Sequence, residues 1–147
     1  MINAGANNDI ITAGNGNKII YAGEGNNQVI TGNGNNLIYA GAGNNIIKTG
    51  AGEDIIYAGE GNNTISTGTG NDTAYVGNGN THFILNAGLG SLTIYSFTSN
   101  HSISRGTTLA ADSILSVTIS GDDTLISTGR DLLATLNVNA CATAPQN

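Results

Sequence analysis

The chain has 147 residues, only 10% of them charged, and ten acidic residues against four lysines and arginines give a net charge of −6. Nucleic acids and anionic membranes both require a basic surface, so we expect neither as a partner. No apolar run approaches the ~20 residues of a spanning helix, which predicts no membrane insertion.

A nine-residue repeat fills most of the chain. Nine copies follow one another from AGANNDIIT (4–12) to VGNGNTHFI (76–84), and a tenth, AGLGSLTIY (87–95), follows two extra residues, Leu85 and Asn86. Tyrosine ends every second copy, so the structural unit is eighteen residues long. A fixed period indicates a solenoid. We predict an all-β fold, a parallel β-roll with two short strands per turn.

Each position of the repeat has a predicted role. Positions two and four are mostly glycine and position five is mostly asparagine, which favours a turn over positions one to six. Positions seven to nine are predicted to form a strand, with position eight pointing inward and its neighbours outward. The predicted core is therefore a stack of position-eight side chains: Ile11, Ile20, Val29, Ile38, Ile47, Ile56, Ile65, Ala74 and Phe83.

The pattern changes after Tyr95. Three later segments, 113–120, 123–129 and 131–138, have the composition of short strands. We therefore divide the chain into a nonapeptide roll over 4–95, a capping β segment over 96–138 and a flexible tail over 139–147.

The nonapeptide resembles the RTX (repeats-in-toxin) motif GGxGxDxUx, a calcium-binding β-roll repeat. The resemblance covers residues 4–95, and 96–138 look like the degenerate C-terminal ends of such proteins. It implies calcium between successive turns, secretion by a type I exporter without an N-terminal signal peptide, and folding assisted by calcium outside the cell. The chain departs from the motif because Ala, Thr or Val replaces the first glycine, and the sixth-position aspartate remains only as Asp9, Asp54 and Asp72.

These departures leave few candidate calcium sites. Calcium takes six to eight oxygen ligands, and loops eighteen residues apart should lie above one another. Only Asp54 and Asp72 then bring two carboxylates to one gap, and the family pattern implies that backbone carbonyls complete the shell, those of Gly50, Gly52, Gly68 and Gly70. Asp9 with Asn27 is a poorer second site, and Lys18 puts a cation where a metal would sit. Elsewhere a ladder of stacked asparagines replaces the ion, so we expect folding with little or no calcium.

The two outer faces of the predicted roll differ. One presents an apolar strip formed by Tyr21, Tyr39, Tyr57 and Tyr75 at position nine and by Ile19, Leu37 and Ile55 at position seven. Such a strip marks a contact surface, unless the C-terminal segment covers it or the tyrosines only stabilise the stack. Strand edges at the N-terminal end, where little precedes the first repeat, are a second candidate for self-association.

No catalytic set is evident, because His82 and His101 are isolated and no HExxH, CxxC or GxSxG motif is present. We therefore expect no enzyme activity. The leading hypothesis is a secreted, non-catalytic β-roll module that is structural or adhesive, or that assists export and folding. Alternatives are a self-assembling calcium-independent scaffold or fibre subunit, an ice- or surface-binding roll suggested by TGTGNDTAY (67–75), and the C-terminal tail of a larger RTX enzyme or toxin.

Overall fold

A computed structural model describes residues 1–86, 88, 90–109, 115–120, 123–128 and 131–137. The predicted tail at 139–147 and the ends of the three predicted C-terminal segments, at 113–114, 129 and 138, lie outside these residues. Every regular element within them is a β-strand. None of them forms a helix of the length and apolar character that a membrane crossing needs.

The described strands form two sheets. The first, the tyrosine sheet, contains in spatial order β1 (Ile2–Asn3), β3 (Ile19–Tyr21), β5 (Leu37–Tyr39), β7 (Ile55–Gly59), β9 (Asp72–Val76), β11 (Leu92–Tyr95), β15 (Asp131–Asn137), β14 (Asp123–Thr128) and β13 (Leu115–Ser120). The second, the opposite sheet, contains β2 (Ile10–Ala13), β4 (Gln28–Thr31), β6 (Ile46–Lys48), β8 (Thr64–Ser66), β10 (His82–Leu85) and β12 (Ser102–Arg105).

The strands pair with a period of eighteen residues. Ile20 is opposite Ile38, which is opposite Ile56, and all these pairs are parallel. Successive strands therefore alternate between the two sheets, and one turn of the chain contributes one strand to each. The prediction of a parallel β-roll with two strands per turn is confirmed, and the solenoid has about six turns.

The core contains the predicted position-eight stack, from Ile11 to Phe83, with every member at most 7% exposed. It also contains two positions that we had assigned to the turn. Position one is buried at Ala22, Ala40 and Ala58, and position six is buried at Asn45 and Asp54. The reason is strand alternation: if position eight points inward, positions six and one (the tenth residue) lie two residues to either side and point the same way.

Parallel stacking continues beyond the two extra residues. Tyr95 lies opposite Tyr75, and β12 adds to the opposite sheet beside β10. The extra residues are accommodated as a short detour, in which Asn86 Nδ2 donates to Ser66 Oγ at 3.1 Å and to the Thr67 carbonyl at 3.2 Å. The last three strands, β13 to β15, fall within the three predicted segments and pair antiparallel with each other, while β15 is parallel to β11.

At the N-terminal end, β1 pairs with β3, and Ile2 lies opposite Ile20. Residues before the first repeat therefore take part in the tyrosine sheet, which the repeat pattern alone did not predict. On the opposite sheet the first described strand is β2, where Ile10 is 78% exposed.

Candidate functional site

A ladder of position-six side chains follows each edge of the core. Each of the two ladders contains three consecutive pairs. In every pair, the side-chain oxygen of position six accepts a hydrogen bond from the backbone N–H of position six in the turn before, at 2.8–3.1 Å. One ladder runs through Asp9, Asn27, Asn45 and Asn63, and the other through Lys18, Asn36, Asp54 and Asp72. The side chains thus bond mainly to backbone and join neighbouring turns.

The same asparagines also donate within their own turn. Asn27 Nδ2 lies 3.0 Å from the carbonyl oxygen of Gly23 and 3.2 Å from that of Gly25, and Asn45 Nδ2 lies 3.1 Å from the carbonyl oxygen of Gly43. The loop carbonyls at positions two and four therefore converge on the amide nitrogen. An N–H donor occupies the place where a cation would meet these oxygens.

The ammonium group of Lys18 donates to the carbonyl oxygens of its own loop, as the asparagine amides do in other turns. Its ammonium nitrogen lies 2.7 Å from the carbonyl oxygens of both Asn15 and Gly16. This turn therefore carries its own cation, held by loop carbonyls. A metal ion would compete with that ammonium group directly.

Asp54 breaks the pattern of donation. Its Oδ1 accepts from the backbone nitrogen and from Nδ2 of Asn36, both at 2.8 Å. Its Oδ2, which corresponds to the amide nitrogen of an asparagine, is buried without a hydrogen-bond partner, and so is Oγ1 of Thr49 in the same turn. A buried, unpaired acceptor is costly. No amide or ammonium group meets Asp54 Oδ2, whereas such groups bind the loop carbonyls in the asparagine turns and in the Lys18 turn.

Asp72 lies one turn further along, where its Oδ1 accepts from the backbone nitrogen of Asp54 at 2.9 Å. Burial raises the pKa of Asp72 to about 7. Hydrogen bonds from the Asp54 backbone and the Thr67 hydroxyl lower this pKa, and the negative charges of Asp54 and Glu53 raise it further. The side chain is 2% exposed. Bringing a cation close would favour its charged form.

The glycines predicted as carbonyl ligands stack on one another in the loops that precede Asp54 and Asp72. A Cβ added to Gly68 or Gly70 would overlap the carbonyl oxygen of the glycine one turn before, Gly50 or Gly52. The loops are thus stacked too closely for any other residue. A cavity of about 20 Å³, enough for one water-sized group, lies on the other side of Asp72 and is lined by Thr67, Gly68, Gly70, Asp72, Asn86, Gly88 and Gly90 among others.

The residues present fit a calcium ion in part. The carboxylates of Asp54 and Asp72, the first with a buried and unpaired oxygen, and the hydroxyl of Thr49 offer only oxygen donors, which is the chemistry that calcium prefers. No group of three or more His, Cys, Asp or Glu side chains suited to a metal occurs among the described residues, so this site has only two carboxylates.

Asp9 and Asn27 also lie together, since the backbone nitrogen of Asp9 donates to Asn27 Oδ1 at 2.9 Å, and Asp9 Oδ2 is buried without a partner. However, the Asn27 amide already donates to the Gly23 and Gly25 carbonyls. The Asp9 and Asn27 pair therefore offers a metal only one carboxylate, and the Gly23 and Gly25 carbonyls beside Asn27 already accept hydrogen bonds.

His101 has a place in the ladder that we did not predict. Its Nδ1 accepts from the backbone nitrogen of Thr81 at 3.1 Å, as an asparagine oxygen does elsewhere. The side chain is 7% exposed, and burial lowers its pKa, so the neutral form that can accept this bond is favoured. The spacing of twenty residues, eighteen plus the two extra ones, was the signal that could have identified it.

Part of the tyrosine strip is exposed. Tyr21, Tyr57 and Tyr75 are 37–41% exposed, so the described residues of the C-terminal segment do not cover these three rings. Tyr95 extends the four predicted rings to five, and each ring stacks on the next at 4.8–5.0 Å between centroids.

The fold and these ladders define a parallel β-roll whose loops present glycine carbonyls to the position-six side chain. The chain belongs to the RTX calcium-binding nonapeptide repeat family, which matches residues 1–29, 30–65 and 57–80. This is a calcium-binding family whose repeats are typically structural and typically occur in secreted proteins. The comparison with curated proteins gave no match.

Two solved structures are similar to the chain. One is the extracellular lipase LipA from Serratia marcescens, with 17% identity and a TM-score of 0.38 over 88% of this chain and 36% of that one. The other is the AlgE6R3 subunit of the Azotobacter vinelandii mannuronan C5-epimerase, with 21% identity and a TM-score of 0.37 over 91% of this chain and 72% of that one. The chain thus spans about a third of the lipase.

Proposed function

We propose that this β-roll is a non-catalytic structural module of a protein exported by a type I system, and that it binds calcium at one site, between the turns of Asp54 and Asp72. The observation that carries the calcium site is the buried, unpaired Oδ2 of Asp54. It stands where asparagine turns place an amide donor, so a cation there would meet unsatisfied oxygens.

The ligands of this site would be the two carboxylates, with carbonyls of Gly50, Gly52, Gly68 and Gly70 and the hydroxyl of Thr49 as candidates for the remaining positions. When bound, calcium would supply positive charge that holds the two turns together. The stacked loops supply the rigidity, because successive glycines are already in close contact.

The other turns would need no ion. Asn27, Asn36 and Asn45 each satisfy loop acceptors with their own amide, and Lys18 does so with its ammonium group. The module would therefore be largely folded before calcium arrives, and the ion would tighten one part of the stack.

Isothermal titration with calcium of the full chain tests this proposal. We expect about one equivalent to bind to the native sequence and none to bind to the double variant Asp54→Asn/Asp72→Asn, which should remain folded by circular dichroism. Glu53→Gln is the matched control, because Glu53 is an exposed carboxylate beside the site. Absence of binding in the native chain, or retention in the double variant, would contradict the assignment.

A further inference from the structure

The tetrapeptide Gly-Asn-Gly-Asn occurs three times in the loops of the roll. Its first asparagine, which a glycine always follows, is Asn15, Asn33 or Asn78. Asparagine is a thermolabile residue, and a following glycine leaves its side chain open to attack because glycine has no Cβ. Since the local sequence is the same at all three positions, any difference in their chemical reactivity must come from the fold.

Deamidation of an Asn–Gly pair is an intramolecular reaction. The glycine backbone nitrogen loses its proton and forms a bond to Cγ of the asparagine, the Cγ–Nδ2 bond breaks, and ammonia leaves with the proton. Water then opens the succinimide ring at either carbonyl and gives aspartate or isoaspartate, so the only reagent consumed is water. The reaction therefore needs a glycine nitrogen without a hydrogen bond and an asparagine side chain that can turn towards it.

At Asn15 and Asn33 the following turn holds both reacting groups. The backbone nitrogen of Gly16 donates to the Asn33 carbonyl at 2.6 Å, and that of Gly34 donates to the Ala51 carbonyl at 2.7 Å. The side-chain oxygen of Asn15 accepts from the backbone nitrogen of Asn33 at 2.9 Å, and that of Asn33 accepts from Ala51 at 3.0 Å. Cyclisation at either position therefore requires local opening of the stack.

Asn78 has neither restraint. In the part of the chain that the structure describes, the Gly79 nitrogen has no acceptor and the Asn78 side-chain oxygen has no donor. The Asn78 side-chain nitrogen makes only a long contact of 3.5 Å with Oε1 of Glu60. The cause is the end of the repeats, because the residues one turn later on this side, 96–101, depart from the nonapeptide pattern.

We propose that Asn78 is a site of spontaneous deamidation in the folded roll, and that stacking of the turns protects Asn15 and Asn33. All three asparagines are exposed, so access of water does not distinguish them. The difference is the pair of hydrogen bonds to the next turn, which two of the loops make and the third does not.

Deamidation at Asn78 would change two contacts of its loop. Either product carries a negative charge beside Glu60, which the Asn78 amide faces in the unmodified chain. Isoaspartate also adds a carbon to the backbone and turns the carbonyl that accepts from the Gly61 nitrogen at 2.9 Å into a free carboxylate. Modification should therefore loosen this loop. The loop lies on the side of the Asn63 ladder and not on that of the calcium site, so the two proposals can fail separately.

Trypsin separates the three sites, because cleavage after the basic residues gives the peptides 1–18, 19–48 and 49–105, each with one Asn–Gly pair. The full chain is incubated in mildly alkaline buffer with calcium, so that the roll is folded whether or not it needs the ion. Mass spectrometry with fragmentation then follows deamidation at each asparagine. We expect Asn78 to react at least about tenfold faster than Asn15 or Asn33, because there no hydrogen bonds between turns must break first.

The same chain in denaturant is the matched control, since identical tetrapeptides should then react at similar rates. Equal rates at the three asparagines of the folded chain, or a faster reaction at Asn15 or Asn33, would overturn the proposal. So would a preference for Asn78 that persists in denaturant, because the fold would then not be its cause.

Amide exchange measured by NMR tests the cause directly. The Gly79 N–H should exchange faster than those of Gly16 and Gly34, which donate to the next turn. Equal protection of the three amides would contradict the explanation. In the variant Asn78→Gln, which should stay folded by circular dichroism, the fast release of ammonia should disappear, because glutamine cyclises far more slowly. Fast release that remains in this variant would assign the reaction to another residue.

Discussion

Position six combines two tasks in one side chain. The asparagine oxygen accepts from the preceding turn, and the asparagine nitrogen donates to its own loop. An aspartate keeps the first task and loses the second, because both its oxygens are acceptors. Whether a turn needs an ion therefore depends on one atom, the nitrogen or oxygen at the end of this side chain.

Asn45→Asp tests this dependence. Asn45 is fully buried, and its Nδ2 donates to the Gly43 carbonyl and to Asn63 Oδ1. In chelator we expect the free energy of unfolding to fall by about 2 kcal/mol, since a buried acceptor then faces other acceptors. Calcium should restore part of the loss in thermal melts. Asn44→Asp is the control, because exposed Asn44 uses only its oxygen; an equal effect there would refute the explanation.

The Asp72 carboxyl should make the stability of the roll depend on pH. Its folded pKa of about 7 lies above the ordinary 3.8, so the folded state holds the proton more tightly. Its contribution is fully present below about pH 4 and is lost as pH rises through 7, by at most about 4 kcal/mol. Chemical denaturation of the calcium-free protein from pH 5 to 8 measures this slope.

Asp72→Asn should flatten that slope, because the amide does not titrate and its oxygen can still accept from Asp54. Saturating calcium should flatten it as well, since the ion stabilises the charged carboxylate. A slope that is the same in the variant would assign the pH dependence to other groups.

At the scale of single strands, stability depends on alternation over very short segments. A strand such as β7 places Ile56 in the core, where it is 0% exposed, and Ile55 on the surface, where it is 40% exposed. Neither strand nor turn is stable alone. Each becomes stable when the turns on both sides cover the core side chain.

Ile56→Ala and Ile55→Ala form a matched pair for this argument. We expect Ile56→Ala to cost about 2–5 kcal/mol, because it leaves a cavity between turns, and Ile55→Ala to cost about 0.5 kcal/mol or less. Denaturant unfolding of both variants measures the difference. Equal losses would show that position eight is not the main inward position.

Much of this element structure could be predicted from the sequence. A period of nine with tyrosine at every eighteenth residue gave the two sheets, the position-eight core and the tyrosine row. The inward direction of positions one and six was missed because glycine and asparagine suggested a turn, although small Ala22 and polar Asn45 fit the narrow edge of a roll. His101 was missed because it lies outside the nonapeptide repeats. Its imidazole nitrogen accepts the hydrogen bond from the Thr81 backbone that an asparagine oxygen accepts in the other turns.

At the scale of the whole molecule, the roll is a row of turns that bond mainly to their neighbours. Two sets of side-chain bonds link the turns in opposite directions. Position six accepts from the turn before, whereas position five accepts from the turn after, as Asn26 does from the backbone nitrogen of Asn44 at 2.8 Å. Most of these links are made by neutral asparagine, so like-charge repulsion between turns is small.

The whole chain should therefore keep its β structure without calcium. In excess chelator we expect a far-UV circular dichroism spectrum typical of β structure, and calcium should raise the melting temperature by a few degrees without changing the spectrum. A chain that is unstructured in chelator and regains its β signal with calcium would contradict the role given to the asparagine ladder.

The eighteen-residue register also has a genetic consequence. Insertion or deletion of eighteen codons within the repeats would add or remove one turn and leave every row of side chains in line. A slip of nine codons would move all later strands to the other sheet, so that every tyrosine after the slip would continue the row that contains Lys48. Replication slippage can thus lengthen or shorten this roll only in steps of a full turn if its two faces are to stay distinct.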